Sequence, residues 1–141
     1  MKHSISSPQS AKDRTKRDTF SIPFTDLKNS VLSQDYELSL VFIDDTYSRK
    51  LNTTYRGKNK PTNVLSFPLS KKSSDCTGSG EIFIDLVTAK SEARKFGMTF
   101  EKFVKYLFIH GLLHLKGMRH GATMEKAEKK LLHGTSNSSR H

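Results

Sequence analysis

The sequence predicts an α/β or α+β domain in which a small β-sheet is covered by helices, and three observations carry that prediction. Tyr36 to Ile43 and Glu81 to Leu86 alternate between two apolar faces, the period of a strand. Phe100, Phe103, Val104, Leu107, Phe108 and Leu115 recur at helical spacing and form one long apolar stripe. The chain has 141 residues, enough for one core of ordinary size, and no internal repeat divides it. The expected organisation is a flexible basic tail over 1–17, one domain over 18–133 and a flexible tail over 134–141.

Taken in order, Phe24, Leu27, Val31 and Leu32 place a helix over Phe24 to Ser33, with Ser21 or Thr25 available as its cap. In the strand from Tyr36 to Ile43, Leu38, Leu40 and Phe42 share one face, and Val41 and Ile43 the other. Asp44 and Asp45 suit the N-cap of a helix running from Thr46 to Tyr55. Thr62 to Phe67 reads as a short strand stopped by Pro68, which lacks the N–H that a ladder needs. Lys71 to Gly80 is a loop by composition, followed by the strand Glu81 to Leu86. Thr88 to Phe96 is helical and closes at Gly97, and Thr99 caps the long helix, which runs to about Lys116. A last helix extends from Thr123 to about His133 on Met124, Ala127, Leu131 and Leu132.

Apolar residues make up 34% of the chain and charged residues 27%, a globular but polar balance. No apolar run is long enough to span a bilayer, and Met1 to Arg17 is basic and Ser-rich with no apolar stretch of the secretory kind. Cys76 is the one cysteine, so no internal disulfide is available, and a reducing, cytoplasmic setting is expected. The net charge of +10 points to a polyanionic partner, nucleic acid being the commonest. Arg49, Lys50, Arg56, Lys58, Lys60, Lys71 and Lys72 fall in one stretch without an acidic residue.

The most informative segment is His110-Gly111-Leu112-Leu113-His114-Leu115-Lys116-Gly117-Met118-Arg119-His120. His110 and His114 are four apart, so on a helix both imidazoles project from one face. Gly117 lets the helix stop and the chain turn back, which could swing His120 toward the first two. Three neutral imidazoles at converging positions form an open metal site at the end of the central helix. Zinc is the expected ion, although nickel, copper or iron also suit three imidazoles.

The spacing matches the zinc geometry of the metzincin proteases, but the glutamate that serves them as general base is replaced here by Gly111. Peptide hydrolysis is therefore poorly supported. A phosphodiester needs positive charge around its reacting centre more than it needs a strong carboxylate base. Arg56 is the candidate to supply that charge, because a guanidinium offers a planar fork to two phosphate oxygens.

These residues also carry a family resemblance. Asn52-Thr53-Thr54-Tyr55-Arg56-Gly57-Lys58-Asn59-Lys60-Pro61-Thr62-Asn63-Val64-Leu65-Ser66-Phe67-Pro68 resembles the N-x-x-Y-R-x-K-D-x-P-T-D-V-L-S-F-P block of the YbeY endoribonucleases, bacterial rRNA maturation factors. Gly80-Glu81-Ile82-Phe83-Ile84 is similar to their G-D-I-x-I strand, and the histidine segment to their H-G-x-L-H-L-x-G-Y-D-H. Met124, Glu128, Leu131 and Leu132 echo their last helix. The resemblance covers about Asn52 to Leu132 and implies a small mixed sheet with helices packed on it.

It further implies a zinc-dependent endoribonuclease acting on single-stranded RNA, in 16S rRNA 3′-end maturation and ribosome quality control. Its partners would be single-stranded RNA, rRNA and the ribosomal small subunit, with no membrane, and no DNA specificity is inferred. His110, His114 and His120 fall on the family's metal ligands and Arg56 on its catalytic arginine, His114 being assigned to catalysis as well.

Two positions depart from the family pattern. Arg119 stands where an Asp precedes the third histidine, and Asn63 where the P-T-D block has Asp. A carboxylate near metal-bound imidazoles commonly orients them, so Arg119 favours an alternative in which the protein is an RNA- or ribosome-binding assembly factor with a structural or vestigial site. Among the other polar residues, Glu81 and Asp85 share a strand face with Phe83, with a place behind the cleft and a place on the surface both open. Ser66 has two options, lining the groove or bonding backbone, and His133 and His141 fall outside the cluster.

Overall fold

The middle strand of the sheet organises everything around it. In the computed structural model the chain is described over residues 20–71 and 78–140, backbone alone at Lys71 and 134–140. The basic tail 1–17, Lys72 and Cys76 lie outside the described residues, and of the tail 134–141 only a helical backbone to 140 is described. Among the described residues there are five helices and three strands, an α+β arrangement. They run in the order α1 (Phe24–Val31), β1 (Glu37–Ile43), α2 (Asp45–Arg56), β2 (Val64–Lys71), β3 (Gly78–Asp85), α3 (Leu86–Lys95), α4 (Phe100–Lys116) and α5 (Ala122–Arg140).

The sheet order is β1-β3-β2, with β3 parallel to β1 and antiparallel to β2, so the sheet is mixed as expected. Residues from Gly80 to Asp85 are all buried, because β3 has a strand on each side and helices above and below. Its alternation sorts the core into two halves. Ile82 and Ile84 join Phe42 and the apolar stripes of α1, α3, α4 and α5, while Phe83 joins Val41, Ile43, Leu65 and Leu51 of α2. The two faces expected for β1 are those observed.

Four local expectations are corrected. α1 is capped by Pro23 rather than by Ser21 or Thr25, and no side chain bonds to its first N–H groups. Pro68 does not stop β2, which continues to Lys71. β2 pairs only with β3, so a missing N–H is tolerated there, and a register shift between Pro68 and Ser70 leaves Leu69 as a bulge. β3 begins at Gly78, inside the stretch read as a loop, since pairing with both neighbours outweighs its local composition. Asp85 is fully buried. One oxygen accepts from Thr88 N at 2.8 Å, and the other from Thr88 Oγ1 and Ser48 Oγ, each at 2.6 Å. It thereby caps α3 and ties it to α2, a structural duty rather than a place on the surface or behind the cleft.

α4 is the long central helix and lies against α1, α3, α5, β2 and β3. Thr99 caps it by accepting from Lys102 N at 3.1 Å, as the sequence predicts. It approaches the sheet closely at Gly111. A Cβ there would lie 3.0 Å from Ile82 Cδ1 and 3.0 Å from Ser66 Oγ. The Ser66 hydroxyl donates to the Gly111 carbonyl at 3.3 Å, fastening helix to strand. No helix among the described residues is long and apolar enough to cross a membrane.

Gly111→Val should therefore destabilise the fold by about 1–3 kcal/mol, because the added side chain meets Ile82 and Ser66 at less than ordinary contact distance and forces them to repack. Chemical denaturation of the two proteins checks this, and equal stability would show that the interface has slack.

Candidate metal centre and cleft

The last two turns of α4 and the turn after it build the site. Taking about 100° per residue, His110 and His114 sit about 100° and about 60° round from Gly111, both on the same side. Pressing Gly111 onto the sheet thus aims both imidazoles at the seam between α4 and β2, and their Nε2 atoms are 3.1 Å apart. The helix then ends at Gly117 in a left-handed conformation, φ 107°. Gly117 N donates to His114 O at 2.9 Å, and Met118 N to Leu113 O at 3.0 Å, the pairing of a Schellman turn. That reversal returns the chain, and His120 comes back with ring centroids 5.0 Å from His110 and 4.7 Å from His114.

One ligand atom from each of the three histidines lies within 4.8 Å of the others. Two nitrogens bound to one tetrahedral zinc stand about 3.3 Å apart, close to the spacing of the His110–His114 pair. Burial pushes the His114 imidazole below its ordinary pKa, and the neighbouring His110 and His120 add to this; a hydrogen bond to the Met118 backbone and the charge of Glu128 work against it. The net effect favours the neutral ring, the form that binds a metal. The donor set therefore fits a borderline transition metal.

The imidazoles are held from behind. Glu128 on α5 is only 5% exposed, and its Oε2 meets Nδ1 of His110. With Nδ1 carrying the proton and donating to that carboxylate, the Nε2 lone pair of His110 faces the other two rings. Tyr106, one turn earlier on α4, hydrogen-bonds to Glu128; burial raises its phenol pKa, and the Glu128 charge and hydrogen bond add to the rise. Sequence reasoning placed Glu128 only in the family's last-helix pattern and gave it no task. The available signal was an acidic residue between Met124 and Leu132, on the buried stripe of an otherwise polar helix.

Arg56, at the last turn of α2, opens into the same cleft. The cleft has a volume of about 420 Å³ and is lined by Arg56, by Thr62 to Phe67 leading into and along β2, and by the three histidines. Ser66 has both expected placements, lining the cleft while it bonds to Gly111. Glu81 is buried rather than on the surface, and neither it nor Asp85 is among the cleft residues. Arg119 and His133 are exposed, and His141 lies outside the described residues. Asn63 donates from Nδ2 to Glu92 Oε1 at 2.7 Å. An Asp at 63 would face that carboxylate with a like charge, a physical reason for the amide here.

Removing the Glu128 charge with Glu128→Gln should weaken zinc affinity roughly 10- to 100-fold in competition with a chromophoric chelator. Unchanged affinity would mean that the carboxylate does not orient His110. For the metal-free protein, the sign of the His114 shift sets a pH dependence. Its folded pKa lies below the unfolded value of about 6.5, so at lower pH the unfolded chain takes up a proton before the folded one does. The melting temperature should hold above about pH 6.5 and fall below it, and His114→Asn should flatten that fall.

The comparisons with known proteins agree with this architecture. A family model described as Endoribonuclease YbeY matches residues 5–137. A protein named Endoribonuclease YbeY from Aquifex aeolicus is 42% identical over 93 residues, covering 66% of this chain and 62% of its own length. One of the same name from Bartonella quintana is 40% identical over 104 residues, covering 68% of this chain and 66% of that relative. The chain thus spans slightly under two thirds of the length of these relatives. The solution structure of TM1509 from Thermotoga maritima superposes with a TM-score of 0.59 at 28% identity, covering 82% of this chain and 77% of that one. With the family match running over nearly the whole chain, the protein belongs to the YbeY family.

Proposed function

We propose that the protein is a zinc-dependent endoribonuclease that cleaves single-stranded RNA, with His110, His114 and His120 as metal ligands and Arg56 as the group that binds the reacting phosphate. The observation that supports this most is the shared cleft, where an arginine from α2 meets two imidazoles from the end of α4 and a third from the turn after it, although the arginine is far from them in sequence. The residues lining it include no Asp or Glu, so an anionic substrate meets donors and positive charge without a competing carboxylate.

Each group has a physical task. Arg56 can present two N–H donors in one plane to two non-bridging oxygens, fixing the phosphate and offsetting charge that develops on it. Its place in the last turn of a capped helix, with Gly57 left-handed behind it, holds its backbone steady. Glu128 keeps His110 in the tautomer a ligand needs, and Gly111 leaves helix and strand close enough for both walls to touch one substrate. A zinc ion held by the three histidines would supply Lewis acidity toward the phosphodiester and the attacking water.

The exposed side chains of Arg49, Lys50, Lys58 and Lys60 extend positive charge outward from Arg56, suiting a chain of phosphates more than a single one. On the family's pattern we extend the proposal to 16S rRNA 3′-end maturation and ribosome quality control in the cytoplasm, with the ribosomal small subunit as partner and the domain over 18–133 as the active unit.

The direct test is cleavage of a single-stranded rRNA fragment by the zinc-loaded protein. Activity should vanish in His114→Ala and with a chelator, and fall by about 100-fold or more in Arg56→Ala. Cleavage that survives His114→Ala would refute the reading. Zinc-loaded protein that binds the fragment without cutting it would favour the assembly factor.

A further inference from the structure

One large aromatic side chain beside the cleft has no role in the chemistry just described. Tyr55 is 61% exposed, yet its ring is not loose. It packs on Phe67 at 5.0 Å between centroids and 54° between planes, and Phe67 packs in turn on Phe83 at 5.8 Å. Phe83 belongs to the core under α2, so Tyr55 is the outermost member of an anchored aromatic series. The series also borders the chemistry: its middle member, Phe67, lines the cleft with the three histidines, and Tyr55 is the immediate neighbour of Arg56 in sequence.

We propose that Tyr55, braced by Phe67, is a stacking platform for an unpaired nucleobase of single-stranded RNA, adjacent to the phosphate that Arg56 holds. The proposal rests on the reading of the cleft as an RNA site and adds to it the subsite for a base. A mostly exposed ring braced by a neighbouring ring offers π-surface to any base and loses little freedom when a base covers it. The charge around it selects the ligand, since Arg49, Lys50, Arg56, Lys58 and Lys60 are exposed on the same segment and would follow the phosphates on either side. Bases inside a duplex already stack on one another, so a platform of this kind favours single strands.

Binding is measured on metal-free protein in chelator, so that no cleavage intervenes, with a short labelled oligoadenylate as probe. Tyr55→Ala should weaken binding roughly 5- to 100-fold, while Tyr55→Phe, which keeps the ring, should bind as the wild type does. The chain has no tryptophan, so Tyr55→Trp introduces a single reporter. Its fluorescence should be quenched by oligoadenylate, and far less by an RNA duplex or by an abasic oligomer of equal charge. Wild-type affinity in Tyr55→Ala, or an unquenched reporter while anisotropy shows binding, would overturn the platform and leave the cleft reading intact. A wild-type protein that binds no single-stranded RNA would overturn both.

Discussion

The approach of α4 to the sheet at Gly111 sets the seam into which His110 and His114 project. With a side chain at that position, its Cβ would lie 3.0 Å from Ile82 Cδ1 and Ser66 Oγ, closer than ordinary contact, and those neighbours would have to shift. With hydrogen alone, helix and strand touch, Ser66 fastens them, and the turn that carries His110 and His114 is presented to β2. The residue that stands where a protease has its glutamate is thus tightly packed, and any side chain there requires Ile82 and Ser66 to give.

Around that interface the site is assembled from pieces that differ in their reach along the chain. Two imidazoles come from helical spacing, the third from a left-handed turn at Gly117, the supporting carboxylate from α5, and the guanidinium from α2. Each piece is secured by its own local device, and none depends on a long loop among the described residues. The outcome is a donor-rich cleft lined by Arg56 and three imidazoles, without an Asp or Glu in its lining, and backed by the buried Glu128 behind His110. An arginine without a lining carboxylate is in keeping with the basic charge of the chain as a whole.

What could be read in the sequence follows the same division. The histidine cluster was legible because its geometry is local: four residues make one turn, and Gly117 is three past the second histidine. The two faces of β1 and the cap and length of α4 were legible for the same reason, since period and capping chemistry are written within a few residues. Glu128 was not, because its duty depends on α5 folding back over α4, which no spacing within either helix encodes. Asp85 looked free for the cleft or the surface until its carboxylate was claimed by Ser48 and Thr88, which lie on different helices. Pro68 misled because a proline signals a strand end only where both edges are paired, and edge position is a tertiary property.

The central claim is that three imidazoles from two sides of one glycine turn converge on a single ion. X-ray absorption on the zinc-loaded protein tests it most directly. The account predicts one zinc per chain, with a first shell of nitrogen and oxygen at about 2.0–2.1 Å and outer-shell scattering that fits three imidazoles. A shell containing sulfur at about 2.3 Å, or one that fits fewer than three imidazoles and does not change in His120→Ala, would contradict it.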